Sequence, residues 1–235
     1  MSEWTERGVA RSLARRVAGL KGRVLAALLA AAVVAPLGAS SEALAQRRSD
    51  APVDVAKLMA PGKLPDMSIG KADAPVTIVE YASLSCGHCA QFHKAVLPEI
   101  KKKYIDTGKA RLIFRDYPHN DQGAAGHMLA RCAGPEKYFA VTDALFKTQS
   151  SWAFSEDVVK ALFVVAKQVG FTEESYNKCL RDQALLDKLE ADRKHAGEVF
   201  GVNATPTFFI NGKRLVRNPT IGEFTKMIDP LLEKK

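Results

Sequence analysis

Apolar and polar positions divide the chain into stretches of distinct character. Residues 24–37 form an apolar run behind Arg7, Arg11, Arg15, Arg16, Lys21 and Arg23, whereas residues 47–66, with Arg47, Arg48, Pro52, Pro61 and Pro65, show little periodicity. Strand-like patterns begin at Met67. Met67–Ile69 suits a short edge strand, and Val76–Ala82 is almost continuously apolar, as expected of a strand covered on both faces. Ala110–Asp116 predicts another strand, closed by Tyr117-Pro118-His119-Asn120. Between these strands a helix is expected from the cysteines at 86 and 89 to Lys103, with a kink at Pro98, which has no N–H to give to the preceding turn.

From Gly123 to about Gly201 the period becomes helical. Val158, Val159, Leu162, Phe163, Ala166 and Val169 lie on one stripe, with Ser155 as the expected N-cap and Gly170 as the stop. Pro135 suits the first turn of a helix reaching Phe146, Thr172 predicts the cap of one reaching Leu180, and Gln183–Phe200 reads as a helix ended by Gly201. Thr207–Ile210 and Arg214–Val216 then flank Asn211-Gly212, the residue pair of a two-residue type I′ hairpin. Ile221–Leu232 predicts a closing amphipathic helix, and no internal repeat is visible.

The basic lead, the apolar run and Ala43-Leu44-Ala45 together have the form of an export signal spanning residues 1–45, cleaved before Gln46. A membrane anchor is the alternative, but the run falls short of the roughly 20 residues a span needs, and Pro36 interrupts it. Val17 and Ala18 after Arg15-Arg16 fit a twin-arginine signal poorly, which favours the Sec route. Of the 34 Lys and Arg, 6 lie in this segment, as do 3 of the 26 Asp and Glu, so the remainder carries 28 against 23, a net +5. That charge is too mild to point to nucleic acid. Lys101-Lys102-Lys103 reads as a solvated face at a helix C-terminus, where cations complement the dipole.

The chemistry concentrates at Cys86-Gly87-His88-Cys89, a C-x-x-C where a strand gives way to a helix. A helix N-terminus offers unpaired N–H groups and partial positive charge that stabilise the Cys86 thiolate, and a protonated His88 would add to this. The same spacing also fits half a zinc site, but Cys132 and Cys179 stand alone and far off, with no second C-x-x-C to complete a tetrahedron. No metal is expected.

Strand, C-x-x-C, helix, strand, an all-helical stretch, then Thr205-Pro206, a hairpin and a closing helix is an order that resembles the DsbA-like thiol:disulfide oxidoreductases of the thioredoxin superfamily, from about Met67 to the C-terminus. The resemblance implies an α/β thioredoxin fold with an inserted all-helical subdomain. It divides the chain into an arm at 46–66, a first thioredoxin part at 67–121, a helical insert at 122–190 and a second thioredoxin part at 191–235.

By the same resemblance Cys86 is the attacked cysteine and Cys89 the buried resolving one. Glu80, six residues before Cys86, stands where the superfamily keeps a buried acid that relays protons, the alternative being a strand residue paired with a lysine. His88 tunes Cys86, and Thr205-Pro206 matches the dipeptide with a cis bond that binds substrate backbone. Other histidines, His93 included, read as structural. Cys132 and Cys179 are expected to pair with each other in an exported protein, as in some members of the family, or else to remain two buried thiols. Gly87 in place of a common proline, and Thr205 in place of a common valine, argue against a very high reduction potential.

The implied function is oxidation of reduced exported proteins in the periplasm by a monomer without cofactor, reoxidised by a membrane oxidase of the DsbB type. A reductase or isomerase is the alternative, although the arm of about 20 residues is short for an isomerase's oligomerisation domain. A periplasmic copper carrier using Cys86, Cys89 and His88 is a further one, which no Met-rich or His-rich segment supports.

Overall fold

The computed structural model describes residues 52–216 and 219–233. The expected export signal and the start of the arm lie outside them. The rest of the arm is more ordered than its weak periodicity suggests: Asp54 caps a short helix α1 (Val55–Met59), and the buried Leu58 packs against the sheet.

Five strands, β1 (Met67–Ile69), β2 (Val76–Ala82), β3 (Ala110–Asp116), β4 (Thr207–Ile210) and β5 (Lys213–Val216), form one mixed sheet in the order β1-β3-β2-β4-β5. Only β2 and β3 run parallel, in register from Val76 opposite Ala110 to Ala82 opposite Asp116. A parallel pair needs a crossover. Here it comprises α2 (Gly87–Ala95), α3 (Leu97–Ile100) and a π-helical turn, Lys101–Ile105. The expected kink is a full break at Val96. Pro98 sits in the first turn of α3 and cannot bond to Lys94, so a new helix begins there.

The strand period of two sorts β2 between two cores. Ile78 joins Phe92, Phe208, Phe224 and Ile228 on the face covered by α2, α3 and the closing helix. Val79 and Tyr81 face the other way, toward Leu58, Ala196 and Phe200. Position 80 therefore points its side chain toward α2, and that is how an acidic residue reaches the interior beneath the cysteines.

Between β3 and β4 lie α4 (Asp121–Cys132), α5 (Tyr138–Lys147), α6 (Gln149–Trp152), α7 (Val158–Gln168), α8 (Glu173–Leu180) and α9 (Gln183–Phe200). Asp157, not Ser155, caps α7: its carboxylate accepts the Lys160 N–H at 3.0 Å, while the Ser155 hydroxyl accepts the Asp157 N–H at 3.3 Å. Helix α5 begins at Tyr138, leaving Pro135 in the preceding turn. α9 runs unbroken through residue 190, with Leu189 against Cys179 and Met128, and Ala196 and Phe200 on the sheet. Gly201 ends it at φ 62, a left-handed conformation glycine adopts without penalty.

Two devices hold the insert in place. A disulfide joins Cys132 at the end of α4 to Cys179 in α8, with a Cα–Cα distance of 6.0 Å. The buried Asp116, at the end of β3, receives the Arg131 Nε–H and the Tyr138 hydroxyl, each at 2.6 Å. His127 Nδ1 lies 2.7 Å from the same carboxylate, off the ideal hydrogen-bond direction. Burial pushes the Asp116 pKa up, but these partners outweigh it and hold the group at about 2. The chain closes through the hairpin, where Asn211 (φ 44) and Gly212 (φ 84) have the two positive angles of a type I′ turn, and then α10 (Ile221–Leu232), capped by Thr220 and Glu223.

Candidate active site

β2 ends at Ala82, and a short loop delivers Cys86 to the cap position of α2. Most helices are capped by an oxygen; this one is capped by sulfur, Cys86 Sγ accepting the Cys89 N–H at 3.5 Å. The thiols of Cys86 and Cys89 are unbridged. A hydrogen bond from the Cys89 thiol does most to hold the Cys86 pKa at about 5. Burial opposes it, and the Thr205 side chain and the backbone N–H groups of Cys89 and His88 add to the lowering. Cys89 is moved the other way, pushed well above the ordinary thiol range by burial first, then by Cys86 and by the charge of Glu80. One sulfur is thus built to be a thiolate and its neighbour to hold a proton.

His88 and Gly87 are exposed, so the middle of the motif faces solvent. Residue 88 acts on Cys86 through its backbone N–H, which any residue but proline would supply, rather than through the imidazole. Thr205-Pro206 is a cis peptide, and Cys86 Sγ lies 3.4 Å from the Thr205 carbonyl, to which it donates when protonated. The structure therefore brings together four of the residues singled out in the sequence: Cys86, Cys89, Thr205 and Pro206.

Glu80 is fully buried and pairs with no lysine. Its partner is His93, whose Nε2 lies 3.1 and 3.0 Å from the two carboxylate oxygens. The imidazole packs against Phe92, Phe114 and Phe146, its ring centroid 4.3 Å from that of Phe146. His93 is the main residue that sequence reasoning passed over. The available signal was its place one helical turn after Cys89, on the face turned toward β2. Asn120, His127 and Gln149, which no motif marked, also reach the loop before Cys86. His119 and His195 are exposed.

Among the described residues no cluster of three or more His, Cys, Asp or Glu side chains could hold a metal ion, and no helix is long and apolar enough to cross a membrane.

Known proteins share this architecture. A family model described as thioredoxin matches residues 63–230. A Rickettsia bellii protein, provisionally named a protein-disulfide oxidoreductase, is 34% identical over 170 residues, covering 72% of this chain and 65% of that protein. The chain thus spans a little under two thirds of the length of the curated relatives it matches first. Disulfide bond formation protein D of Bacillus subtilis is 25% identical over 172 residues, 71% of this chain and 77% of that one. Among solved structures, alpha-DsbA1 of Wolbachia pipientis is similar with a TM-score of 0.70 and 35% identity over 77% of this chain and 97% of its own.

Proposed function

Because the chain belongs to the DsbA-like branch of the thioredoxin family, we propose that it is an exported thiol:disulfide oxidoreductase, introducing disulfide bonds into secreted or periplasmic proteins through Cys86 and Cys89. The observation that carries this reading is the opposite displacement of two adjacent thiols, Cys86 to about 5 and Cys89 upward.

In the oxidised protein a substrate thiolate attacks Cys86 Sγ. The Cys86–Cys89 bond breaks, a substrate–Cys86 disulfide forms, and Cys89 leaves as a thiolate. A buried sulfur with a raised pKa takes up a proton, and the Glu80–His93 pair beneath it is the relay that delivers it. A second substrate thiolate then attacks the substrate sulfur of the mixed disulfide and expels Cys86. The substrate gains a disulfide, and its two electrons remain on Cys86 and Cys89. Expulsion is easy because the Cys86 thiolate is stable, and the same stability favours the reduced protein and makes it an oxidant. The Thr205 carbonyl, beside the attacked sulfur, is placed to receive a backbone N–H of the bound substrate. A membrane oxidase of the DsbB type would restore the disulfide, and the protein would act as a monomer.

The test is turnover on a reduced, unfolded substrate together with equilibration against glutathione. An oxidase should oxidise the substrate and lie well on the oxidising side of about −270 mV, toward but below the strong-oxidant value of about −120 mV; a potential near about −270 mV with no net oxidation would overturn the reading in favour of a reductase.

The proton step has its own check. Glu80→Gln keeps the shape but removes the carboxylate of the proton relay, so discharge of the Cys86–Cys89 disulfide to substrate should slow by about a hundredfold, within the usual range for general acid–base groups. The alkylation midpoint of Cys86 should stay where it was. Stopped-flow rates equal to those of the parent protein would remove Glu80 from the mechanism.

A further inference from the structure

The loop that carries the reactive sulfur is held by the helical insert rather than by the sheet. Ser85, immediately before Cys86, donates its hydroxyl to Asn120 Oδ1 at 2.7 Å, and Asn120 also caps α4 by accepting the Gly123 N–H at 2.8 Å. His127 Nε2 accepts the Leu84 N–H at 3.3 Å. Gln149 Nε2 donates to the Leu84 carbonyl at 2.7 Å and to the Cys86 carbonyl at 3.0 Å. Both backbone groups of Leu84 are therefore satisfied by side chains from two different helices, α4 and α6.

We infer that Gln149 is a positioning residue for the Cys86 thiol, acting through the Cys86 carbonyl, so that the helical insert sets the reactivity of the catalytic loop. The Cys86 carbonyl already accepts the Ala90 N–H at 3.0 Å, the first helical bond of α2, and the Gln149 amide occupies its other lone pair. Orientation of this peptide group fixes where Sγ stands relative to the N–H groups that stabilise it. Donation from the amide also draws negative charge away from a carbonyl next to a developing thiolate.

Gln149 can do this because it is itself fixed. It is buried, and both of its amide hydrogens are engaged. Three residues on in the same short helix, Trp152 is buried with its indole N–H on the Leu145 carbonyl at 2.9 Å. The Trp152 ring comes so close to α4 that a Cβ at Gly126 would lie 3.0 Å from it and 3.2 Å from Leu84 Cβ, tighter than ordinary packing tolerates without a shift. The glycine lets indole, loop and helix meet.

This inference rests on Cys86 being the attacked thiol. Gln149→Met keeps the length and removes both donated hydrogen bonds. The alkylation midpoint of Cys86 should rise by about half to one pH unit, and the glutathione equilibrium should shift about three- to tenfold toward the less oxidising side. A variant whose thermal stability falls while midpoint and equilibrium stay in place would reduce Gln149 to a structural clamp and overturn the proposal. If Gln149→Met does not fold, Gln149→Glu, of nearly the same volume but with the donor replaced by an acceptor, reads the same midpoint with the same expected direction. The parent protein separates the two levels: its own midpoint far from 5 would unseat Cys86 as the activated thiol, whereas unmoved variants unseat only Gln149.

Discussion

Reduced protein exposed to iodoacetamide is expected to lose one fast thiol, Cys86, with a midpoint near pH 5, while Cys89 stays unmodified until the fold opens. Cys86→Ser should abolish turnover outright, because Cys89 is held protonated and Cys132 and Cys179 are bridged, leaving no other activated thiol. The same displacement has a thermodynamic sign. Cys86 has a folded pKa of about 5 against an ordinary 9.0, so between these values the unfolded reduced chain binds a proton that the folded one does not. Stability of the reduced form therefore rises with pH across that window, is complete above it and disappears as pH falls through 5. The disulfide form has no such thiolate. Urea denaturation should show the reduced protein gaining on the oxidised one from acid to neutral pH. Parallel curves would mean that neither sulfur is held as a thiolate, and faster alkylation of Cys89 at mildly acidic pH would reverse the assignment of the two sulfurs.

Much of this was legible in the sequence where a local rule decides the outcome. β2 is an almost continuous apolar run, α8 begins at the threonine expected to cap it, and α9 ends at the one residue type that turns left-handed freely. Local rules failed where two residues competed for one role. Asp157 displaced Ser155 as the cap of α7 because the serine hydroxyl was already engaged with the residue at 157. Within the site, the C-x-x-C motif and the Thr205-Pro206 dipeptide could be read because their neighbours are sequential. His93 could not. Its place one helical turn after Cys89 is a weak signal, and its meaning appears only when the parity of β2 turns Glu80 toward it. Gln149 is harder still, since its partners lie 63 and 65 residues away and are backbone carbonyls that carry no sequence signal.

Replacing both Cys132 and Cys179 with alanine is expected to destabilise the oxidised protein by about 4 kcal/mol, the chain-entropy value for closing a loop of this size. The bridge spans a sequence separation of 47 and pins α4 to α8. For a chain of this length such a loss corresponds to a fall in melting temperature of about 10 °C. The alkylation midpoint of Cys86 should change little, since Asp116 and its partners hold α4 and α5 to the sheet independently of the bridge. Calorimetry showing an unchanged melting temperature would mean that the bridge constrains nothing the fold has not already fixed. Peptide mapping that finds both thiols free would remove the premise.

Four cysteines can be joined in three ways. In this chain the pairing of Cys132 with Cys179 leaves Cys86 for Cys89, so the first cysteine is matched with the second and the third with the fourth. A polypeptide oxidised from its N-terminus as it emerges from a translocation channel meets Cys86 and Cys89 first and Cys132 and Cys179 afterwards. Joining them in order of arrival gives the native connectivity, with no mispaired bond to be undone. A protein proposed to make disulfides for others would thus mature without help from an isomerase.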